Sequence, residues 1–214
     1  MSDLPEPPAA GGGLAFELET TAPGTRLVRV HDRDLDELQF NSSPRPIARF
    51  RPIGTPVVPT LYAGVDEDVA IAEGLFHDVP IRPGAVRQYP LAGLDGRVIS
   101  ELAPTRELTL VQLHGYGLQR LGLTHGELIE TPAAAYEWTA RWAHALHVAA
   151  AQADGLVWMS RRFTGRAALM LWQQTARVQP GDLTVIAPAR PLWEGPGREL
   201  VLESAARAAI RLIA

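Results

Sequence analysis

The stretch RFRPIGTPVVPTLYAGVDEDVAIAEGLFH, residues 49–77, carries the pattern that decides the fold. Thr60–Ala63 is a short run of strand-forming residues after a proline-rich approach, which predicts a β-strand. Asp66 is a suitable helix N-cap, and the two acidic residues after it favour the positive end of a helix dipole. The stretch therefore predicts a strand followed directly by a helix that runs from Asp66 to about His77.

Glu73 is the unusual residue of this predicted helix. Positions 69, 72, 73 and 76 fall on one helical stripe, which Val69, Ala72 and Phe76 make apolar. A carboxylate buried in such a stripe is costly unless it is paired or faces a cavity. Glu73 is therefore either a candidate catalytic group or the ion-pair partner of an arginine at the edge of the stripe.

Three residues upstream of the helix are candidate ligand contacts. Tyr62 offers either a ring face for a planar ligand or an ordinary core side chain with its hydroxyl at the rim. Arg49 and Arg51 flank Phe50, so in an extended segment, predicted here for Ala48–Phe50, both would point away from the ring. These arginines are candidate anion contacts, with solvent exposure or surface ion pairing as the alternative.

A second informative stretch, DGLVWMSRRFTGRAALMLW, spans residues 154–172. It predicts strands at Leu156–Met159 and Ala167–Trp172, joined by an arginine-rich loop. Ser160 follows the first strand, where it either caps the turn or hydrogen-bonds a ligand hydroxyl. No GxSxG turn surrounds this serine, which argues against a serine hydrolase.

The rest of the chain is typical of one α+β domain. Residues 1–13 are rich in proline, glycine and alanine, which predicts a disordered tail before a single domain over 14–214. A long helix is predicted from the N-cap Thr131 to about Gln152, and Gly115–Gly117 is predicted to be a loop. Strands and helices do not alternate regularly, which favours a mixed or antiparallel sheet. The other predicted elements are strands near Ala15–Glu19, Arg26–Val30, Ala85–Pro90, Arg97–Ser100, Leu108–Leu113 and Leu183–Ile186, and a closing helix from about Leu200.

The composition excludes several chemistries. The 214 residues include no cysteine, so disulfides, cysteine–zinc sites and thiol nucleophiles are ruled out. All 20 basic residues are arginine, so there is no lysine for a phosphate loop or a Schiff base. The net charge of −4 argues against a nucleic-acid or anionic-membrane binder. Without a targeting segment or an apolar run of about 20 residues, we expect a cytoplasmic protein with no direct nucleic-acid or membrane contact.

One histidine pair is a weak candidate metal site. His144 and His147 lie one turn apart on the predicted long helix, but no third ligand has a suitable spacing. The Gly115–Gly117 segment likewise lacks the remaining glycines of a dinucleotide-binding fingerprint. We therefore predict that the protein has no metal cofactor.

Five short elements, taken in order over about residues 26–175, resemble the RES domain family of toxins that are paired with Xre-type antitoxins. The family pattern has an arginine near the first core strand, a Gly-Arg-Trp-like element, a Leu-Tyr-Ala-like strand, an Ala-x-x-Glu helix and a late Asp-Gly strand ending in serine. Here these places are filled by Leu27–Val30, Ala48–Phe50, Leu61–Ala63, Ala70–Glu73 and Asp154–Ser160.

The sequence departs from the family pattern in three places. Phe50 stands where tryptophan is usual, and Trp158 stands where tyrosine is common. Arg51, Pro52 and Ile53 replace the usual Asn-Pro-Pro. The aromatic changes conserve the kind of side chain, so the departures bear on substrate detail more than on the catalytic set.

The resemblance implies an ADP-ribosyltransferase-like fold and NAD as the substrate, with Glu73, Arg49 and Ser160 as the catalytic residues. Glu73 would stabilise the oxocarbenium-like centre that forms when the nicotinamide–ribose bond breaks. Arg49 and Arg29 would bind the diphosphate or a ribose through forked contacts. Tyr62 would stack on the nicotinamide ring, and Ser160 would hydrogen-bond the ribose or the carboxamide.

The same resemblance implies the toxin of a type II toxin–antitoxin system, which cleaves NAD with water or phosphate and so arrests growth. Its expected protein partner is an Xre-type helix-turn-helix antitoxin, and a homodimer within the toxin–antitoxin complex is compatible with it. Two alternatives stay open: a mono-ADP-ribosyltransferase that modifies a cellular protein, and a non-catalytic module of the same fold that binds NAD or a partner.

Overall fold

The computed structural model describes residues 4–8, 12–43, 48–51, 54–174 and 177–214. The strands are β1 Leu18–Thr21, β2 Leu27–Asp32, β3 Thr60–Gly64, β4 Gln88–Pro90, β5 Arg97–Pro104, β6 Leu108–Gln112, β7 Gly155–Met159, β8 Ala167–Trp172, β9 Leu183–Pro191 and β10 Arg211–Ile213. The α-helices are α1 Glu67–Gly74, α2 Gly115–Leu121, α3 His125–Leu128, α4 Tyr136–Ala149 and α5 Gly195–Arg207.

Most of these strands form one mixed sheet. Within the described ranges it has eight strands in the order β1-β6-β7-β8-β3-β2-β5-β9, while β10 and β4 form a separate parallel pair. Neighbouring strands of the large sheet are antiparallel except β6 and β7, which are parallel. The predicted α+β class with a mixed, largely antiparallel sheet is confirmed.

The sheet opens between β2 and β3. These two strands share a single register pair in the described chain, Val28 opposite Gly64. In contrast, β2 pairs with β5 along its whole length, and β3 pairs with β8 at five positions. The two halves of the sheet therefore separate beyond Val28, and residues of both strands line the space between them.

Two of the apolar clusters of the core fix the helices that flank this opening. One cluster joins α4 to β7 and β8 and includes Trp142, Trp158 and Trp172. Another joins α1 and α5 to β2 and β5 and includes Ile71 and Val201. Burial of one large apolar side chain contributes about 1.5–3 kcal/mol, so these clusters hold α1 and α4 firmly on the sheet.

Helix α1 begins as the sequence predicts and ends three residues earlier. The Asp66 carboxylate accepts a hydrogen bond from the Val69 N–H at 3.0 Å, which confirms the predicted N-cap. At the other end, Gly74 lies against β2, because a Cβ there would stand 2.8 Å from Cβ of Val30. The helix therefore crosses β2 at Val30, with Glu73 as its second-last residue.

The predicted loop at Gly115–Gly117 is wrong, because this segment begins α2. Gly117 lies so close to Gln112 that a Cβ would meet the Gln112 carbonyl oxygen at 2.0 Å. The glycine pattern thus reflects a close backbone approach at the start of a helix.

The long helix begins later than predicted. Thr131 is not its N-cap, because α4 starts at Tyr136 after a 3₁₀ turn at Ala133–Ala135. Ala48–Phe50 forms a turn instead of an extended segment. Among the remaining elements, β1 starts at Leu18, β5 and β9 extend further than predicted, and α5 starts before Leu200.

The N-terminal segment differs from the predicted disordered tail at residues 4–6. The Pro5 carbonyl accepts hydrogen bonds from the indole N–H groups of Trp138 at 3.0 Å and Trp142 at 2.9 Å. Leu4 packs against the same cluster, so this short piece lies on α4. Residues 1–3 and 9–11 lie outside the described residues. None of the described helices has the length and apolar character that crossing a bilayer requires.

Candidate active site

A cavity of about 640 Å³ lies where β2 and β3 separate. Three residues singled out from the sequence, Glu73, Arg49 and Tyr62, line its wall. Its other polar lining residues are Asn41, Thr60, His77, Asp78, Gln88, Tyr89, Arg97 and Tyr136.

Glu73 and Ser160 are joined by a direct hydrogen bond. The Ser160 hydroxyl donates to Glu73 Oε1 at 2.7 Å. Glu73 is half-buried at the cavity wall, whereas Ser160 is only 2% exposed. Ser160 Oγ also accepts a hydrogen bond from the Arg162 backbone N–H at 3.3 Å. The same hydroxyl therefore both caps the turn after β7 and orients the Glu73 carboxylate.

The arginine-rich loop after β7 holds both ends of α1. Arg166 forms an ion pair with Asp66 at 3.2 Å at the start of the helix. Beyond its end, Arg162 Nη2 donates to the carbonyl groups of Phe76 and Val79. The loop thus acts as a clamp on the helix that carries Glu73, and this explains why the residues after a strand-end serine are cationic.

Arg49 is buried beside the cavity. It is 5% exposed, its Nη1 donates to Thr131 Oγ1 at 2.6 Å, and its guanidinium stands 5.5 Å from the ring centroid of Tyr136. Burial lowers the pKa of Arg49, while the neighbouring Glu73 carboxylate acts in the opposite direction. The group stays cationic, because an arginine side chain is not deprotonated in proteins. Arg49 therefore contributes a buried positive charge to the wall that carries Glu73.

The Tyr62 hydroxyl is committed to the backbone. It accepts a hydrogen bond from the Phe50 N–H at 2.9 Å, and the ring packs edge-on against Trp158 with centroids 5.9 Å apart. Burial raises the pKa of Tyr62, so its phenol stays protonated. The ring lines the cavity, while the hydroxyl fixes the turn that precedes it.

Arg29 does not join this group. It lines an adjoining cavity of about 380 Å³, and its Nη1 and Nη2 donate to the carbonyls of Glu37 at 2.6 Å and Gln39 at 2.7 Å. Alternate residues of a strand face opposite sides, so Arg29 points away from Val28 and Val30, which line the cavity of Glu73. Burial lowers the pKa of Arg29 to about 10. The arrangement makes Arg29 an anchor of the loop after β2.

Arg51 follows the surface alternative that the sequence left open. Its Nη2 forms an ion pair with Glu137, whose side chain is largely exposed. Pro52 and Ile53, the rest of the departure from the family pattern, lie outside the described residues.

The described part of the chain contains no cluster of three His, Asp or Glu side chains placed to hold a metal. His147 instead lies within hydrogen-bond distance of Gln174 Oε1, at 3.0 Å, and packs edge-on against Trp172. Burial, followed by the charge of Arg177, lowers the pKa of His147 to about 4. Its ring is a neutral core group.

Most of the polar lining residues were not singled out from the sequence. His77 comes four residues after Glu73, beyond the end of α1, and the predicted helix that ran to His77 would have placed the two on one face. Tyr136 was assigned to the long helix without a site role, although it lies over Arg49. Gln88 and Arg97 come from strands β4 and β5, and no local signal connects them to the stretch around Glu73.

The fold and the cavity together define the class of this protein, an α+β domain with a mixed sheet and a carboxylate site at the split between two strands. The model of the RES domain matches residues 26–193, and the chain therefore belongs to the RES domain family. A chain from the crystal structure of the M. tuberculosis MbcT–MbcA toxin–antitoxin complex has a similar fold, with a TM-score of 0.57 and 15% sequence identity. The match covers 87% of this chain and 91% of that chain. No curated protein matches the sequence.

Proposed function

We propose that this protein cleaves the nicotinamide–ribose bond of NAD and acts as the toxin of a toxin–antitoxin system. One observation carries the proposal: the Glu73 carboxylate stands at a cavity wall and is held there by the Ser160 hydroxyl at 2.7 Å. Membership of the RES domain family supports it, and so does the similarity in fold to a chain of a toxin–antitoxin complex.

The chemistry needs a fixed negative charge near the reacting sugar carbon. When the bond between ribose C1′ and the pyridinium nitrogen breaks, its electron pair neutralises nicotinamide and leaves positive charge on the ribose. A carboxylate that is already oriented stabilises that charge without reorganising. Attack by water at C1′, with loss of one proton to solvent, completes hydrolysis to ADP-ribose, whereas attack by phosphate gives the phosphorylated sugar.

The other residues support this step by position. Ser160 holds one carboxylate oxygen, which leaves the second oxygen of Glu73 for a ribose hydroxyl or the cationic carbon. Arg49 lines the same cavity and suits a ribose hydroxyl, and the Tyr62 ring offers a face to the nicotinamide. No metal takes part in this scheme.

An antitoxin of the Xre helix-turn-helix type is the proposed protein partner. The support is the family together with the structural neighbour, which is a chain of a toxin–antitoxin complex. The partner would be expected to suppress the activity when the two proteins are produced together.

The test is to incubate the purified protein with NAD and to resolve the products by chromatography, with and without phosphate. Release of free nicotinamide is the expected result, and ADP-ribose or its phosphorylated form identifies the acceptor. Label transferred from adenine-labelled NAD to a macromolecule would favour the ADP-ribosyltransferase alternative. Intact NAD after prolonged incubation of folded protein would favour the non-catalytic module.

A further inference from the structure

The cavity of Glu73 contains a second cation besides Arg49. Arg97 lies on β5 and lines this cavity and the adjoining one, together with Val30, Asn41 and Tyr62. Arg97 thus stands at the junction of the two spaces.

The position of Arg97 along the sheet separates it from Glu73. Asp32 is its register partner on β2, whereas α1 crosses β2 at Val30, two residues earlier. Two residues along a strand span about 7 Å. The cavity therefore has the Glu73 carboxylate where α1 crosses β2. The Arg97 guanidinium lies about two residues further along the same face of the sheet.

The Arg97 guanidinium differs from the other cavity arginines in its hydrogen bonding. The Arg97 side chain is half-buried and has no hydrogen-bond or ion-pair partner among the residues that the structure describes. In contrast, both terminal nitrogens of Arg29 donate hydrogen bonds to backbone carbonyls, and Arg49 Nη1 donates a hydrogen bond to Thr131. A guanidinium with free donors in a forked geometry is well suited to phosphate oxygens.

We propose that Arg97 binds the phosphate groups of a nucleoside diphosphate, and that it orients the ligand so that the adjacent ribose reaches Glu73. The identification of the ligand as a dinucleotide rests on the proposed function. In NAD one ribose unit separates the nicotinamide bond from the diphosphate, so a cationic end at Glu73 and an anionic end at Arg97 match the charges of the ligand.

Carboxylates line both of the cavities that meet at Arg97. Asp32 and Asp34 line the adjoining cavity but not the cavity of Glu73, and Asp32 Oδ1 accepts the Asp34 N–H at 3.1 Å. Glu73 and Asp78 in turn line the cavity of Glu73, so Arg97 provides a positive charge between carboxylates in both spaces.

The experiment is calorimetric titration of the full chain with ADP and, separately, with adenosine. The variants are Arg97→Gln, which removes the charge, and Arg97→Lys, which keeps the charge but loses the fork. Arg198→Gln is the matched control, because Arg198 is exposed on α5 and lines neither cavity. Thermal unfolding of each variant verifies that it is folded.

We expect Arg97→Gln to weaken ADP binding about tenfold or more, while adenosine binding is unchanged. Arg97→Lys should give a smaller loss, and Arg198→Gln should bind as the natural protein does. Unchanged ADP affinity in Arg97→Gln, an equal loss for adenosine, or no ADP binding by the natural protein would each overturn the inference. None of these readouts needs turnover, so a protein that binds ADP through Arg97 but releases no nicotinamide would contradict the proposed function alone.

Discussion

The hydroxyl of Ser160 donates to Glu73 Oε1 at 2.7 Å, and this bond joins the end of β7 to the last turn of α1. The two residues stand 87 positions apart in the sequence. The bond fixes one oxygen of the carboxylate. Arg162 and Arg166 of the loop after β7 contact the two ends of α1 and hold the helix in place beside the strand. The geometry of the proposed site therefore depends on packing between elements as much as on the residues themselves.

Removal of the Ser160 hydroxyl should lower the turnover number even in the fraction of the protein that remains folded. A hydrogen bond to a charged group contributes about 1.5–3 kcal/mol, so Ser160→Ala should reduce kcat for nicotinamide release about tenfold or more. Ser160→Thr, which keeps a hydroxyl, should retain more activity. Ser204→Ala is the control, since Ser204 is equally buried but lies on α5. Normal kcat in folded Ser160→Ala would mean that the serine only caps its turn.

Loss of the Tyr62 hydroxyl should destabilise the turn at Phe50. Tyr62→Phe leaves the Phe50 N–H without its acceptor, and an unsatisfied buried donor costs about 1–3 kcal/mol. We therefore expect urea denaturation to give a lower free energy of unfolding for Tyr62→Phe than for the natural protein. The control Tyr116→Phe should leave the free energy of unfolding unchanged, because Tyr116 is 76% exposed. If both variants unfold at the same urea concentration as the natural protein, the hydroxyl has no structural role.

Gly74 should be intolerant of a side chain. In Gly74→Ala the new Cβ would stand 2.8 Å from Cβ of Val30, so α1 must move away from β2. Such overpacking costs about 1–3 kcal/mol, and it should also lower kcat because Glu73 moves with the helix. Gly181→Ala is the control, since nothing lies within 4 Å of that position.

The double variant Gly74→Ala with Val30→Ala tests the cause of this effect. If the clash is responsible, the second change should recover part of the melting temperature. Strictly additive losses from the two changes would show that the helix does not press on β2 at this point.

The buried ring of His31 should make stability fall as the pH falls. Burial, followed by the charge of Arg29, lowers the pKa of His31 from 6.5 to about 4. Above pH 6.5 both states are neutral, and between pH 6.5 and 4 only the unfolded state takes up the proton, so the free energy of unfolding should drop by about 1–3 kcal/mol.

The variant His31→Gln should flatten the slope of stability between pH 6.5 and 4. His144→Gln should keep the slope, because that ring is exposed on α4. Denaturant titrations at several pH values measure both, and an unchanged slope in His31→Gln would place the responsible group elsewhere.

The sequence predicted the parts of the site that depend on local signals. Asp66 marked the start of α1, and the stripe around Glu73 marked its unusual carboxylate. The family pattern grouped Glu73 with Ser160, and the two side chains are hydrogen-bonded to each other. In each case a few neighbouring residues carry the signal, so no knowledge of the sheet order is needed.

The rest depends on long-range pairing, which no local pattern contains. Arg97 reaches the cavity only because β5 pairs with β2 in a register that places it opposite Asp32. The placement of Arg29 has a related cause, because the alternation of faces along β2 directs its side chain to the adjoining cavity. Thr131 was predicted to be a helix cap, whereas its hydroxyl accepts a hydrogen bond from Arg49, 82 positions away. No local pattern in the sequence indicates this contact.

The central claim is tested most directly by nicotinamide release from NAD in the variant Glu73→Gln. Glutamine keeps an oxygen that can accept the Ser160 hydrogen bond, so the fold and the position of the side chain should persist while the negative charge is lost. We expect kcat to fall by about a hundredfold or more with an unchanged melting temperature, whereas the exposed control Glu199→Gln should be fully active. Near-normal nicotinamide release by folded Glu73→Gln would contradict the account.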